Sequence, residues 1–254
     1  MSMNEEDRGA LIVTGGSRGI GAAVCRLAAA QGYAVIVNFV ADERAAGVLV
    51  DEIRCHGGRA AAVRADVARE SDVVSLFEQA DRLFGPLRAL VNNAGITGGF
   101  SRVDSVTAGM LERLWAVNIT GTILCAREAV RRMSREHGGR GGAIVNVSSR
   151  AADLGSPGEW VHYAASKGAV NTFTIGLAAE VAGEGIRVNA VSPGLIETDI
   201  HAAAGDAGRL ARYAVRIPMG RVGTAGEVAE AVMWLLSPAA SYVAGAIVTV
   251  SGGR

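Results

Sequence analysis

Ala10-Leu-Ile-Val-Thr-Gly-Gly-Ser-Arg-Gly-Ile-Gly21 is an apolar, β-branched run that breaks into a glycine-rich turn and reopens as a helix. Residues 10–14 have strand character and residues 19–31 have helix character. Gly15 lets the chain turn sharply, Gly19 lets backbone approach a pyrophosphate, and Gly21 lets the new helix pack tightly on a sheet. The start of that helix presents free N–H groups and a partial positive charge to phosphates, with Ser17, Arg18 and Ile20 in the same cradle. Among 34 glycines a triplet alone says little. Its place between strand and helix gives it meaning.

Outward from this unit, short β-branched runs alternate with helical patterns. Residues 34–39, 60–65, 89–92, 142–148, 185–191 and 246–250 are expected strands. Residues 42–56, 71–84, 110–136 and 162–182 are expected helices, with Asp42 and Glu43 at a helix start. This alternation predicts an α/β fold: one doubly wound parallel sheet of about seven strands with helices on both faces. No linker or charge block divides the chain, so residues 1–254 are expected to form one domain. Ligands of such sheets bind beyond the carboxyl ends of the strands.

The bulk composition excludes several classes. Half of the 254 residues are apolar, and 25 Lys plus Arg balance 25 Asp plus Glu, so no global field draws nucleic acid or an anionic membrane. The basic run of Arg131, Arg132, Arg135 and Arg140 is expected as a solvated helix end leading into a glycine-rich loop. Cys25, Cys55 and Cys125 are few and widely spaced, as suits a reducing cytoplasm, and Cys25 and Cys125 are expected as buried small hydrophobes. The four histidines are scattered without metal-ligand spacing. Residues 1–9 lack the layout of a signal peptide, and no apolar stretch reaches the roughly 18 residues of a membrane span.

At the end of the second strand, where an Asp or Glu would hold a ribose hydroxyl, stand Asn38 and Phe39. No carboxylate there repels a 2′-phosphate, and Arg18 can meet that phosphate with its planar fork of donors. Both features favour NADP, with NAD possible as well. Further along, Tyr163-Ala-Ala-Ser-Lys167 places a phenol and an ammonium on one helix face. A nearby cation stabilises a phenolate and lowers its pKa.

With these motifs in place, the chain from about residue 8 to 253 resembles the short-chain dehydrogenase/reductase family, with its single-domain Rossmann-type sheet. The matching stretches are residues 14–21, Asp66-Val67, Asn92-Asn-Ala-Gly95, Val117-Asn118, Val147-Ser-Ser149, Tyr163 to Lys167 and Ser192-Pro-Gly194. The resemblance implies that Tyr163 is general acid or base, that Lys167 lowers its pKa and bonds the nicotinamide ribose, and that Ser149, rather than Ser148, orients the substrate oxygen. It further implies that Asn118 holds a water leading to bulk. Asp66 and Val67 would lie at the adenine, Asn92, Ala94 and Gly95 along the cofactor, and Pro193, Gly194, Ile196 and Thr198 at the nicotinamide. One departure stands out: Ser149 and Tyr163 are 14 positions apart, one more than is commonest in the family. The extra residue is assigned to the loop Gly155-Ser-Pro-Gly-Glu-Trp160. His162 is expected to point off the catalytic face.

Residues 195–219 are expected to cover the site as a lid, with Asp199, His201, Asp206, Arg209, Arg212 and Arg216 facing water. The chain resembles both sugar-dehydrogenase-like and 3-oxoacyl-carrier-protein-reductase-like members. The expected activity is hydride transfer between a nicotinamide and a small carbonyl compound or alcohol, such as a sugar or polyol. A 3-oxoacyl-carrier-protein reductase and a catalytically silent dinucleotide sensor are the alternatives. The resemblance also implies a homotetramer built through the long helices and the apolar tail 242–253, where Ser251 replaces a common Asp.

Overall fold

The computed structural model describes residues 8–198 and 214–254. Strands β1 (Ala10–Val13), β2 (Ala34–Phe39), β3 (Arg59–Arg64), β4 (Leu87–Asn92), β5 (Gly142–Val147) and β6 (Ile186–Pro193) are followed by the short β7 (Ile196–Glu197) and β8 (Gly223–Thr224), then β9 (Ile247–Val250). Seven of them form one parallel sheet in the order β3-β2-β1-β4-β5-β6-β9, while β7 and β8 pair separately. Helices α1 (Gly19–Ala30), α2 (Glu43–Cys55), α3 (Glu70–Phe84), α4 (Ala108–Trp115), α5 (Thr122–Met133), α6 (Ala151–Leu154), α7 (Val161–Val181) and α8 (Ala225–Leu236) complete the described fold.

Alternate side chains of each central strand feed two separate cores. Leu11, Val13, Val35, Val37 and Val91 pack with α1, α2 and α8, whereas Ala10, Ile12, Ile36 and Leu90 pack with α3, α5 and α7. Burial on both faces is why these strands are continuous apolar runs without polar alternation. The strand order reverses between β1 and β4, which opens a crevice at their carboxyl ends. The glycine-rich turn lies there.

The structure departs from the sequence expectation in four places. The single helix expected over 110–136 is α4, a π-helical turn Ala116–Gly121, α5 and a 3₁₀ turn Arg135–His137. The π turn lets Gly121 press against Val67, where a Cβ would lie 2.8 Å from the valine Cγ2 and 2.9 Å from its carbonyl oxygen. Helix α8, absent from the sequence reading, opens on a capping box: Thr224 accepts from the Glu227 N–H and Glu227 accepts from the Thr224 N–H. Strand β4 begins at Leu87, earlier than its most apolar stretch.

The basic run, finally, is more than a solvated helix end. Glu128, only 3 % exposed, receives Arg131 and Arg132 at 2.8 Å each and Arg127 at 3.1 Å, and Arg132 also reaches Asp81 at 2.7 Å. A buried carboxylate needs such partners to offset its lost hydration. Cys25 and Cys125 are fully buried, as expected, and burial pushes the Cys125 thiol up to about 12. Among the described residues, no helix is long and apolar enough to cross a membrane.

Candidate active site

The turn after β1 is pinned from both sides. From β4, the Asn93 amide nitrogen donates to the carbonyls of Thr14 at 3.0 Å and Gly15 at 2.9 Å, and the Thr14 hydroxyl oxygen accepts the N–H groups of Asn93 and Ala94 at 3.0 Å each. From β2, the Asn38 side-chain oxygen accepts the Gly15 N–H at 3.2 Å and its carbonyl accepts the Gly16 N–H at 2.8 Å. Gly15 and Gly19 adopt φ of +60° and +54°, and a Cβ on Gly21 would collide with the Gly15 carbonyl and the Asn93 amide. Arg18 occupies the N-cap of α1 in extended conformation and makes no side-chain cap. The first N–H groups of α1 therefore face the crevice without a capping oxygen, in a cradle only glycine can form. These residues fit a dinucleotide pyrophosphate.

Two asparagines assigned to the cofactor turn their side chains inward. The Asn38 amide nitrogen donates to the carbonyls of Val63 at 3.3 Å and Ala65 at 3.0 Å, so this side chain ties the turn to β3 and is 1 % exposed. Asn92 donates to Asn146 at 2.9 Å and to the Thr122 carbonyl at 3.3 Å, beneath α5. Its neighbour Asn93 is the one that faces the crevice, and the sequence reading did not single it out. Strand alternation, one residue in and the next out, is the signal that separates the pair. Asp66 sits at the end of β3 with its carboxylate shared between the Ala68 N–H and Arg113. Val67 is buried against Gly121. Another unanticipated residue is Arg64, whose Nε donates to the Val40 carbonyl at 3.1 Å and so brings an exposed guanidinium to the end of β2.

The catalytic candidates converge. Tyr163 and Lys167, one turn apart on α7, line a cavity of about 140 Å³ with Ser149, Gly95, Pro193 and Gly194. Ile20, Ile196 and Thr198 line the same cavity. The Ser149 hydroxyl hydrogen-bonds the Tyr163 phenol, and its oxygen accepts the Ala151 N–H at 3.1 Å. Ser148 also borders the cavity, but its hydroxyl is engaged, donating to the Lys167 carbonyl at 3.3 Å. Asn118, fully buried in the π turn, clamps Ile96: its oxygen accepts the Ile96 N–H and its nitrogen donates to the Ile96 carbonyl, both at 2.9 Å. A Cβ on Gly95 would lie 3.5 Å from both the Asn118 oxygen and the Lys167 Nζ. Asn118 and the ammonium thus flank one glycine.

The loop to which the sequence reading assigns the extra residue forms part of the cavity wall. Ser156 takes a left-handed φ of +45°, and Ser156, Leu154 and Trp160 all line the cavity. Trp160 stacks on Phe100 at 4.6 Å between ring centroids and meets Tyr163 edge-on at 6.1 Å. His162 is buried beside Gly98, away from the cavity, and neither of its ring nitrogens has a hydrogen-bond partner among the described residues. Of the expected lid, residues 199–213 lie outside the described residues, including Asp199, His201, Asp206, Arg209 and Arg212. A wider groove of about 550 Å³ lies between the C-terminal ends of α1 and α2, at the opposite edge of the sheet, and contains none of these groups.

A phosphate cradle at a switch point, with a phenol, a hydroxyl and a buried ammonium beside it, defines a dinucleotide-dependent oxidoreductase. A family model described as Enoyl-(Acyl carrier protein) reductase matches residues 15–254. The chain is 51 % identical over 243 residues to the uncharacterized oxidoreductase YgfF of Escherichia coli, covering 96 % of this chain and 98 % of that one. It is 40 % identical to the cis-4-hydroxycyclohexanecarboxylate dehydrogenase of Sinomonas cyclohexanicum, over 95 % of this chain and 94 % of that one. A short-chain dehydrogenase from Burkholderia cenocepacia, solved in complex with NADP, superposes with a TM-score of 0.90 at 33 % identity, covering 98 % and 99 % of the two chains. The protein belongs to the short-chain dehydrogenase/reductase family, whose cofactor is NAD or NADP.

The protonation balance differs from the sequence expectation. Burial pushes the Tyr163 phenol up, and the Ser149 hydrogen bond offsets only part of that rise. Lys167 donates to the Val147 carbonyl at 2.7 Å and stands 5.9 Å from the phenol ring centroid, while burial draws its own pKa down to about 8. Desolvation outweighs the pairwise attraction here. A lysine whose folded pKa is depressed favours the folded state above its unfolded value of 10.5 and loses that favour as pH falls towards 8. Relative to Lys167→Met, the wild-type protein should therefore gain about 2 kcal/mol of unfolding free energy between about pH 7 and about pH 9.5. Urea unfolding of both proteins at the two pH values measures this difference. A constant difference contradicts the assignment.

Proposed function

We propose that the protein is an NADP(H)-preferring oxidoreductase acting on a carbonyl or secondary alcohol of a small molecule, with Tyr163 as the proton-transferring group. The observation that carries this reading is the convergence of Tyr163, Ser149 and Lys167 on one cavity beside the glycine turn. When bound, the nicotinamide supplies or accepts the hydride. Tyr163, neutral by virtue of its burial, donates its proton to a carbonyl oxygen during reduction. Ser149 donates a hydrogen bond to the same oxygen as negative charge develops on it. Lys167, with the Asn118–Ile96 clamp behind it, holds the positive charge that steadies the phenolate. The aromatic wall of Trp160 and Phe100 excludes water from one side.

The preference for NADP is supported by the end of β2. Arg64 brings its guanidinium there from β3, Arg18 stands at the N-cap of α1 in the glycine turn, and two carboxylates of this region are engaged elsewhere: Asp42 accepts the Ala45 N–H at 2.9 Å, and Asp66 pairs with Arg113 at 3.1 Å. A small-molecule substrate is supported over a carrier protein because Arg131 and Arg132 are tied to Glu128. The three cysteines are free, in keeping with a cytoplasmic setting. Assembly as a homotetramer is supported by exposed Ile123 on α5 and Ile175 on α7.

Three outcomes follow. Replacement of Tyr163 by Phe should remove at least about 10²-fold of turnover on a panel of ketones and alcohols, with NADPH affinity largely retained; near wild-type turnover would end the proposal. Arg18→Ala should weaken NADPH binding by about 1–3 kcal/mol and leave NADH binding almost unchanged, as fluorescence titration of both cofactors reads directly. Equal losses for the two cofactors would refute the preference. Sedimentation velocity should show a tetramer, and a monomer at micromolar concentration would remove the assembly from the reading.

A further inference from the structure

The chain after β9 turns back on itself beside the candidate active site. Gly252 and Gly253 adopt φ of +64° and +92°, the Arg254 N–H donates to the Ser251 carbonyl at 3.4 Å, and the Ser251 hydroxyl donates to the main-chain oxygen of Arg254 at 2.7 Å. This hook is fastened at two further points. The Gly252 carbonyl accepts the Met219 N–H at 3.1 Å, and the Val250 carbonyl accepts the Gly194 N–H at 2.9 Å. Ser251 lies so close to Gly194 that a Cβ there would stand 2.8 Å from the serine Cβ. The main-chain oxygen of Arg254 is therefore a fixed acceptor near the Pro193–Gly194 turn.

Arg150, the residue directly after Ser149, reaches that acceptor. Its Nε donates to the main-chain oxygen of Arg254 at 2.8 Å, and its Nη1 donates to Asp153 on α6 at 2.6 Å. Its own N–H donates to the Pro193 carbonyl at 2.9 Å. Main chain and side chain thus close one ring that runs through Arg150, Pro193–Gly194, Val250–Ser251 and Arg254. The planar guanidinium fixes the direction of both of its bonds at once, and the ion pair with Asp153 sets its plane. A segment tied through a single N–H can pivot about that bond. A second tie removes the pivot. The neighbour held in this way is Ser149, whose hydroxyl meets the Tyr163 phenol while its oxygen accepts the Ala151 N–H at 3.1 Å.

We propose that Arg150 is a positioning residue: by gripping the tail at Arg254 while its N–H holds Pro193, it sets the Ser149 hydroxyl between Tyr163 and the reacting oxygen of the substrate. The proposal rests on the role given to Ser149 in the oxidoreductase reading, and it adds a residue that acts through that serine.

The test uses Arg150→Met, which keeps an unbranched side chain and removes its donors, with the ketone of the panel that the wild-type protein reduces fastest. The kcat should fall at least about tenfold, with KM and NADPH affinity changed less than about threefold. Arg150→Lys, which retains a charged donor, should recover part of the loss. In a Ser149→Ala background the same Arg150→Met replacement should cost less than about threefold, because the hydroxyl to be positioned is gone. An equal cost in both backgrounds marks a merely structural role and overturns the proposal, as does wild-type kcat in Arg150→Met. A further readout needs no turnover: amide hydrogen exchange across residues 150–154 of the cofactor-free protein should quicken in Arg150→Met, and unchanged exchange overturns the proposal even where no ketone of the panel is reduced. Failure of the oxidoreductase reading is seen separately, as unchanged ketone turnover in Tyr163→Phe.

Discussion

Lys167 carries an ammonium group that is buried beneath the carboxyl end of the sheet and donates to the Val147 carbonyl at 2.7 Å. Keeping a cation there is costly, and its surroundings are arranged around that cost. The π turn swings Asn118 inward to clamp Ile96, which holds Gly95 next to the ammonium. Ser166, one residue before Lys167, accepts from Asn118 at 3.0 Å and donates to the Tyr163 carbonyl at 2.7 Å. Phenol, ammonium and clamp thus share one hydrogen-bonded frame. Both ionisable groups are driven towards their neutral forms by burial, so the protein alone leaves the phenol protonated, the state that can give a proton to a carbonyl oxygen.

Polar groups are threaded through the interior well away from the reacting end. Asn92 on β4 and Asn146 on β5 are register partners and hydrogen-bond across the ladder, and Asn146 passes the chain on to Thr174 of α7 at 2.8 Å. This line joins β4, on one side of the switch point, and its neighbour β5 to the helix that carries Tyr163 and Lys167. It is not completely satisfied: the Asn92 side-chain oxygen is buried without a partner among the described residues, as is the Ser192 hydroxyl on β6. A polar thread of this kind gives directional contacts where apolar packing alone is permissive.

The parallel sheet, its approximate strands and the glycine cradle were all legible in the sequence, because β-branched runs and ordered glycines report directly on backbone conformation. Tyr163, Lys167 and Ser149 were legible as well, and the structure gathers them on one cavity. Side-chain direction was harder. Asn38 and Asn92 stand at positions where a motif suggests ligand contact, yet their amides serve the interior, while Asn93 and Arg64 reach the crevice. The break in the expected long helix was hidden because a π turn needs no helix-breaking residue; it depends on the close approach of Gly121 to Val67, far apart in the chain. The burial of Lys167, which decides the proton balance, belongs to tertiary packing and leaves no mark on a five-residue motif. Helix α8 was missed, although Thr224, Glu227 and the apolar spacing after them carry its signal.

Because neighbouring residues of β1, β2 and β4 belong to opposite cores, these strands have a fixed reading frame. Sliding β1 by a single position would exchange Leu11 and Val13 with Ala10 and Ile12, misfilling both sides at once and carrying the glycine turn out of line with Asn93. Length can therefore vary only in the segments outside the ladders, among them those that hang from the carboxyl edge. The stretch from Ser149 to Tyr163 is such a segment: it contains the left-handed Ser156 and lies outside the β5–β6 ladder. A change of length in this rim segment would alter the wall of the pocket while leaving the strand register that places Asn93 against the glycine turn unchanged.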